Sequence, residues 1–387
     1  MKKESLIYVD RRETDCCKWD GLQQEFGQED LLPLWVADMD FQAPACVREA
    51  VGAWAAHGAY GYYQTPDRYY DAFLRWEKEE HGFAMEREWL RFSPGIVSAI
   101  YWFVQMFSRP GEPVTVLTPV YYPFLHAVED NGRKLVQIDL LCEDGRYTID
   151  YDGLDRSFAE TGSKLIILSS PHNPVGRVWE REELEKLCRI CEKHGVLMIS
   201  DEIHQDLILG EKQHIPTASL GIGKVITCIS ASKTFNLAGL KNSCIVIPDE
   251  ELRRVYDSYA AGIHVLDGPS VGYVAAAAAL EGGKPWLESV REQIRENYQA
   301  LCGELYERLP QAVIAPLEGT YLTWIDLRAY VEPEQVKAVV QDACGLAVDY
   351  GEWFGSDRWK GFIRINLATS LDNVMLAAER LCAALTE

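Results

Sequence analysis

The chain reads as an α/β protein in which a mainly parallel central sheet, covered by helices, is joined to a smaller α+β unit. Three observations predict this. Four short β-rich runs, at 114–117, 164–169, 196–200 and 225–229, lack the polar alternation of a half-exposed strand, as expected where helices cover both faces of a sheet. Helical patterns such as 96–107 and 180–194 interleave with them, which is the signature of βαβ units with parallel strands. At 387 residues the chain also exceeds what one hydrophobic core usually serves, so two domains are expected.

In chain order, Gly95-Ile96-Val97 opens a helix directly after Pro94. The helical pattern at 180–194 puts Leu184, Leu187, Cys188 and Cys191 on one face and ends at Gly195. Cys188 and Cys191 form a CxxC, but no second ligand pair stands at a spacing suited to zinc. They read as core-facing thiols, and no metal site is expected. The longest apolar runs, such as 271–280, are far too short to span a bilayer. Gly282-Gly283 marks the expected boundary between a large unit, 46–283, and a small one made of 284–387 with the N-terminal segment 1–45. The small unit reads as an amphipathic helix over 285–309, a strand over 320–327, a helix over 333–343, a strand over 362–368 and a closing helix.

Charge narrows the partners. With 38 basic against 59 acidic side chains the net charge is −21, a surface that repels phosphate backbones, so no nucleic acid is expected. No apolar signal core follows Met1-Lys2-Lys3, so no export is expected, and the 11 cysteines suit a reducing cytoplasm.

Polar groups follow three of the buried runs. Ser170-Pro171-His172-Asn173-Pro174-Val175-Gly176 comes after 164–169, Asp201-Glu202-Ile203-His204 after 196–200, and Ser230-Ala231-Ser232-Lys233 after 225–229. Ligands of such sheets bind beyond the carboxyl ends of the strands, where an Asn, an Asp and a Lys would therefore converge. Taken singly, Asn173-Pro174 is explained by a turn, Asp201 by a cap and Lys233 by a solvated surface position. Together they match what pyridoxal 5′-phosphate (PLP) needs. Lys233 offers the amine for a Schiff base, Asp201 the carboxylate that keeps the pyridine nitrogen protonated, and Asn173 a donor to the phenolate oxygen. Ser230, Ser232 and Lys241 could hold the phosphate, together with the backbone N–H groups of Ile96 and Val97 at a helix start.

Asn173-Pro174-x-Gly176, Asp201 and Ser230-x-Ser232-Lys233, with Lys241 eight residues on, resemble the class I/II aminotransferase family, the PLP fold type I enzymes. The likeness runs along nearly the whole chain. Leu34-Trp35-Val36-Ala37-Asp38-Met39-Asp40-Phe41, Tyr60-Gly61-Tyr62, Asp201-Glu202-Ile203-His204 and Lys233-Thr234-Phe235-Asn236-Leu237-Ala238-Gly239-Leu240 are similar to the carbon–sulfur lyase branch of MalY/PatB type, the cystathionine β-lyases. The resemblance implies that Tyr121 lies over the cofactor ring and that Arg364 grips the substrate α-carboxylate as a fork. It also implies that Tyr62 reaches the phosphate of a neighbouring subunit, hence a homodimer with shared active sites. Trp35, Val36 and Tyr122 would wall the space for the substituent on sulfur. In two places the chain departs from many relatives. Lys241 replaces an Arg, keeping the charge but losing the fork, and His204 replaces a Tyr, which leaves the second phenolate contact open.

The implied activity is cleavage of L-cystathionine or a related cysteine S-conjugate to pyruvate, ammonia and a thiol. Transamination would use the same residues and remains the alternative. A regulatory, partner-binding protein that keeps only the fold would be expected to lose Lys233 or Asp201, and both are present.

Overall fold

A computed structural model describes residues 3–386. Its central sheet is seven-stranded: β1 (Leu90–Ser93), β2 (Pro113–Thr118), β3 (Lys134–Asp139), β4 (Leu165–Ser169), β5 (Leu197–Asp201), β6 (Lys224–Ile229) and β7 (Ser243–Val246). The order across the sheet is β1-β7-β6-β5-β4-β2-β3. Strands β3, β2, β4, β5 and β6 pair in parallel, and β7 runs antiparallel to both neighbours. Every residue of β4 and β5 is buried, because helices cover both faces, and this is why these runs carry no polar alternation.

Among the covering helices are α1 (Asp67–His81), α2 (Ile96–Phe107), α3 (Arg181–His194) and α4 (Ser270–Gly282). Glu180 caps α3 in a capping box with Glu183, and Gly195 closes it in a left-handed conformation (φ 63°) that a side chain would resist. Cys188 and Cys191 are buried beside Leu184 and Leu187, as the periodicity predicts. No helix among the described residues is long and apolar enough to cross a membrane.

A second, four-stranded antiparallel sheet is formed by β8 (Val313–Ile314), β9 (Leu322–Asp326), β10 (Asp349–Tyr350) and β11 (Phe362–Asn366), in the order β8-β9-β11-β10. Helices α5 (Lys284–Arg308) and α6 (Leu371–Thr386) share one hydrophobic cluster with it and with Trp19, Phe26 and Leu34 of the N-terminal segment. That segment is fastened by a short parallel pairing of Leu32–Pro33 with Leu346–Ala347. A fully buried Lys18–Asp40 ion pair at 2.7 Å adds to the attachment, with Trp19 Nε1 donating to the same carboxylate at 3.0 Å.

Some boundaries differ from expectation for identifiable reasons. Asp201 ends β5 instead of following it, because its pairing with Ser169 extends the parallel ladder by one residue. Thr320 takes a left-handed conformation (φ 71°) and delays the start of β9 to Leu322. The expected helix over 333–343 is a 3-10 turn, Pro333–Gln335, followed by a wide π-type turn, Ala338–Ala343. Within that turn the buried Gln341 side chain donates to the Phe26 carbonyl at 3.0 Å.

Candidate active site

The carboxyl ends of β4, β5 and β6 and the start of α2 enclose a cavity of about 330 Å³. Its lining includes Ile96, Val97, Tyr121, Asn173, Asp201, His204, Ser232, Lys233 and Lys241, all singled out from the sequence. Lys233 lies on a short helical turn, Ala231–Thr234, whose Ser232 N–H is capped by Ser230 Oγ at 3.2 Å. Asn173 stands in the loop after β4, with its N–H on Ser169 Oγ at 3.2 Å and its carbonyl accepting from the Tyr121 N–H at 3.2 Å.

Burial dominates the electrostatics. It pushes the Asp201 carboxyl up to about 7, against the pull of the Ile203 N–H at 3.1 Å. Burial likewise brings the Lys233 amine down to about 8; Asp38 opposes this, while Arg364 adds to it. The His204 imidazole is held neutral by burial, with the charges of Lys233 and Arg364 acting in the same direction. Near neutral pH the cavity therefore offers an amine able to attack a carbonyl, facing a carboxylate that a neighbouring cation would stabilise.

At one end the cavity is built for an anion. The first turn of α2 has no side-chain cap, so its N–H groups are left free, and Ser98, Ser232, Lys241 and Asn242 stand around them. Arg364 does not line the cavity: it is almost wholly buried next to the lining residue Asn173. Its guanidinium donates to Asn173 Oδ1 at 3.0 Å and to the Trp35 carbonyl at 2.8 Å, and it pairs closely with Asp349. Because Asn173 Oδ1 is occupied by Arg364, its amide nitrogen is left to donate into the cavity.

Several expected contacts are arranged otherwise. Arg364 does not present an empty fork: both terminal nitrogens are engaged, and Nε is the part of the guanidinium without a partner among the described residues. Ser230 sits beneath the cavity, its Oγ 2.7 Å from the Asn242 carbonyl and 2.9 Å from Ser232 Oγ, so it supports the anion end without lining it. The Trp35 ring is turned into the core, where Nε1 donates to the Lys18 carbonyl at 3.0 Å and the ring meets Phe26 edge-on at 5.3 Å. Val36 also lies off the cavity wall, its carbonyl bound by Asn366 Nδ2 at 2.6 Å. Tyr122 lines a separate cavity with Glu25, His126 and Trp353. Tyr62 is fully exposed on a stretch without regular structure and does not line the cavity of its own chain.

Other residues shape the site without having drawn attention in the sequence. Asn366 Nδ2 also donates to the Asp38 carbonyl at 2.7 Å, and the Ala37 carbonyl accepts from Lys233 Nζ at 2.5 Å and from Tyr321 Oη at 2.8 Å. The carbonyls of the 35–38 loop are thus fastened one by one to β11 and its surroundings. Asp349 is the register partner of Arg364 on the next strand. An acid in the apolar run Leu346-Ala347-Val348-Asp349-Tyr350 was the available signal.

The donor set fits PLP. A buried carboxylate, a free amide donor and the uncapped helix end match the ring nitrogen, the phenolate and the phosphate, while His204 Nδ1 is buried without a partner among the described residues. Fold and site together define a class: α/β proteins whose lysine-bearing cleft suits a phosphorylated aromatic aldehyde. The chain belongs to the aminotransferase class I and II family, whose model matches residues 29–381. It is 38% identical over 386 residues to the cystathionine β-lyase PatB of Bacillus subtilis, covering 97% of this chain and 99% of that protein. Cystalysin from Treponema denticola, whose structure contains PLP, matches with a TM-score of 0.94 at 31% identity, covering 100% of this chain and 99% of that one. The PLP-bound C–S lyase of Staphylococcus hominis matches with a TM-score of 0.93 at 32% identity, covering 98% and 97%.

Proposed function

We propose that this protein is a PLP-dependent carbon–sulfur β-lyase that splits L-cystathionine or a related cysteine S-conjugate, with water, into pyruvate, ammonia and a thiol. The observation that carries the reading is that Lys233 and Asp201 line one cavity together with the uncapped start of α2, Ser232 and Lys241. The resemblance over nearly full length to PatB and to two C–S lyases supports the choice of reaction.

Bound there, PLP would supply an electron sink for the bond broken at Cα. Lys233 would hold the cofactor and, once freed by the incoming amino group, take the Cα proton on Nζ. With its amine brought down by burial, Lys233 is suited to accept that proton near neutral pH. Asp201 would keep the ring nitrogen protonated, and Asn173, with the neutral His204 beside it, would meet the phenolate. Tyr121 would cover the ring. Ser232, Lys241 and the Ile96 and Val97 N–H groups would hold the phosphate, with Ser230 bracing them from below. Arg364, fixed by Asp349, would turn its remaining N–H edge to the α-carboxylate.

The wider assignments belong to the same proposal. Tyr60, Tyr62, Tyr63, Ile263 and Leu266 are large apolar side chains exposed on the single chain, and we take them as part of a homodimer surface. In the pair, Tyr62 would reach the partner's phosphate. The large unit would span 46–283, and the small one 284–387 with 1–45. All 11 cysteines are free thiols, which suits the cytoplasm. The function is tested by scoring the products formed from L-cystathionine, L-cysteine and S-alkyl cysteines: pyruvate, ammonia and thiol for the lyase, or a new amino acid from a keto acid for an aminotransferase.

A further inference from the structure

Behind the cavity lies a cluster of buried titratable groups that the proposed chemistry leaves unused. At its centre the Asp206 carboxylate accepts three hydrogen bonds, from Trp76 Nε1 at 2.9 Å, His81 Nε2 at 2.8 Å and Thr234 Oγ1 at 2.7 Å. These donors come from different parts of the chain. Trp76 and His81 lie on α1, and Thr234 directly follows Lys233. Asp206 itself ends the segment Asp201-Glu202-Ile203-His204-Gln205-Asp206, which starts at the other cavity-lining group. One carboxylate therefore joins the turn that carries Lys233 to the segment that carries Asp201, and anchors both on a long helix.

The charges around it are matched. Burial opposes the His81 imidazolium, but the Asp206 carboxylate outweighs it and lifts that pKa to about 9. Asp206 is held ionised by the same pair, against its own burial. Glu77, facing the pair from α1, is pushed up to about 8 by burial, with Gln205 Nε2 on its Oε1 at 2.6 Å. Glu202 is occupied by His214 at 2.9 Å and by Ser200 Oγ at 2.8 Å, and Arg291 Nε donates to the Asp206 carbonyl at 2.7 Å. A carboxylate so deeply placed, with every donor aimed at it, resists displacement.

We propose that Asp206 is a positioning residue whose bond to Thr234 sets the spacing between Lys233 and Asp201, and so how tightly the cofactor is held between them. The inference rests on the reading of the cavity as a PLP site. It is tested in the full chain with Thr234→Val, which keeps the shape of the side chain and removes the donor, and Thr234→Ser, which restores it. Two quantities are read: the dissociation constant of PLP by absorbance titration, and the pH midpoint of the bound cofactor's absorbance band. Losing a hydrogen bond to a buried charge is expected to weaken PLP binding about tenfold in Thr234→Val, while Thr234→Ser stays within about twofold of the unsubstituted chain. The band midpoint should move in Thr234→Val and not in Thr234→Ser, and kcat should fall more than KM changes. His81→Gln should shift both quantities in the same direction as Thr234→Val. If Thr234→Val only lowers the melting temperature and leaves PLP affinity and band midpoint as they were, the network is a structural brace and the proposal is overturned. The unsubstituted chain is titrated alongside, so a failure of the PLP reading itself gives a different result.

Discussion

Asp201 shows what a buried carboxyl costs before its partner arrives. Its pKa is lifted from an ordinary 3.8 to about 7, burial being the main cause. Between those values the folded chain keeps a proton that the unfolded chain has released. The stability this group contributes is therefore full below about pH 4 and is lost as pH rises through about 7. Above pH 7 the ionised carboxylate burdens the cofactor-free protein by roughly 4 kcal/mol at most. Asp201→Asn removes that burden. Urea unfolding of the cofactor-free proteins should show the variant gaining on the unsubstituted chain between pH 5 and pH 8, although it binds PLP more weakly. An equal difference at both pH values would contradict this account of the site's electrostatics. Arg364 and Asp349 are a related case: both are buried and pair across β10 and β11, with Asn173 Oδ1 and the Trp35 carbonyl as further acceptors for the guanidinium.

At the scale of elements, the strand ends were legible and the loops between distant elements were not. Asn173, Asp201 and Lys233 could be read because each stands within a few residues of a fully buried run, and a parallel sheet brings such ends together. The anion end was legible for the same kind of reason, since Gly95 before an apolar helical pattern announces an uncapped helix start. The direction of side chains in the 35–38 and 121–122 loops could not be read. Adjacent tyrosines share a sequence environment, yet Tyr121 enters the cavity and its neighbour Tyr122 enters another. Trp35 turns inward because Phe26 and the Lys18 carbonyl offer its ring an apolar face and an acceptor, and both lie far from any recognisable motif. Asn366 was missed because its partners, the Val36 and Asp38 carbonyls, are more than 300 residues away in the chain. Its removal should show: Asn366→Ala leaves the Asp38 carbonyl without its donor, while the Val36 carbonyl keeps the Asp38 N–H at 2.9 Å, which should lower stability by about 1–3 kcal/mol. It should also free the loop that supplies Ala37 to the cavity wall. Thermal unfolding together with KM measurements would check this, and a loss of stability with KM unaltered would mean that the loop does not shape substrate binding.

The whole molecule sets two conditions on the account. The first is assembly. Tyr62 is fully exposed on the single chain, and its proposed place is the partner's phosphate, so sedimentation should give at least a dimer. An active species sedimenting at the 43.8 kDa of one chain would rule out the shared site. The second is the choice of reaction, because Lys233, Asp201 and Arg364 would serve elimination and amino transfer equally. The cavity-lining cations are Lys233 and Lys241, and Arg364, bonded to the lining residue Asn173, is already assigned to the α-carboxylate; with no further arginine at the cavity for a second carboxylate, aspartate should be a poor substrate. The most direct measurement supplies L-cystathionine together with a keto acid and follows both outcomes in one vessel. The account predicts pyruvate, ammonia and thiol released in equal amounts, with little new amino acid formed from the keto acid. Amino transfer outrunning pyruvate release, with L-cystathionine and with every S-substituted cysteine tried, would contradict it.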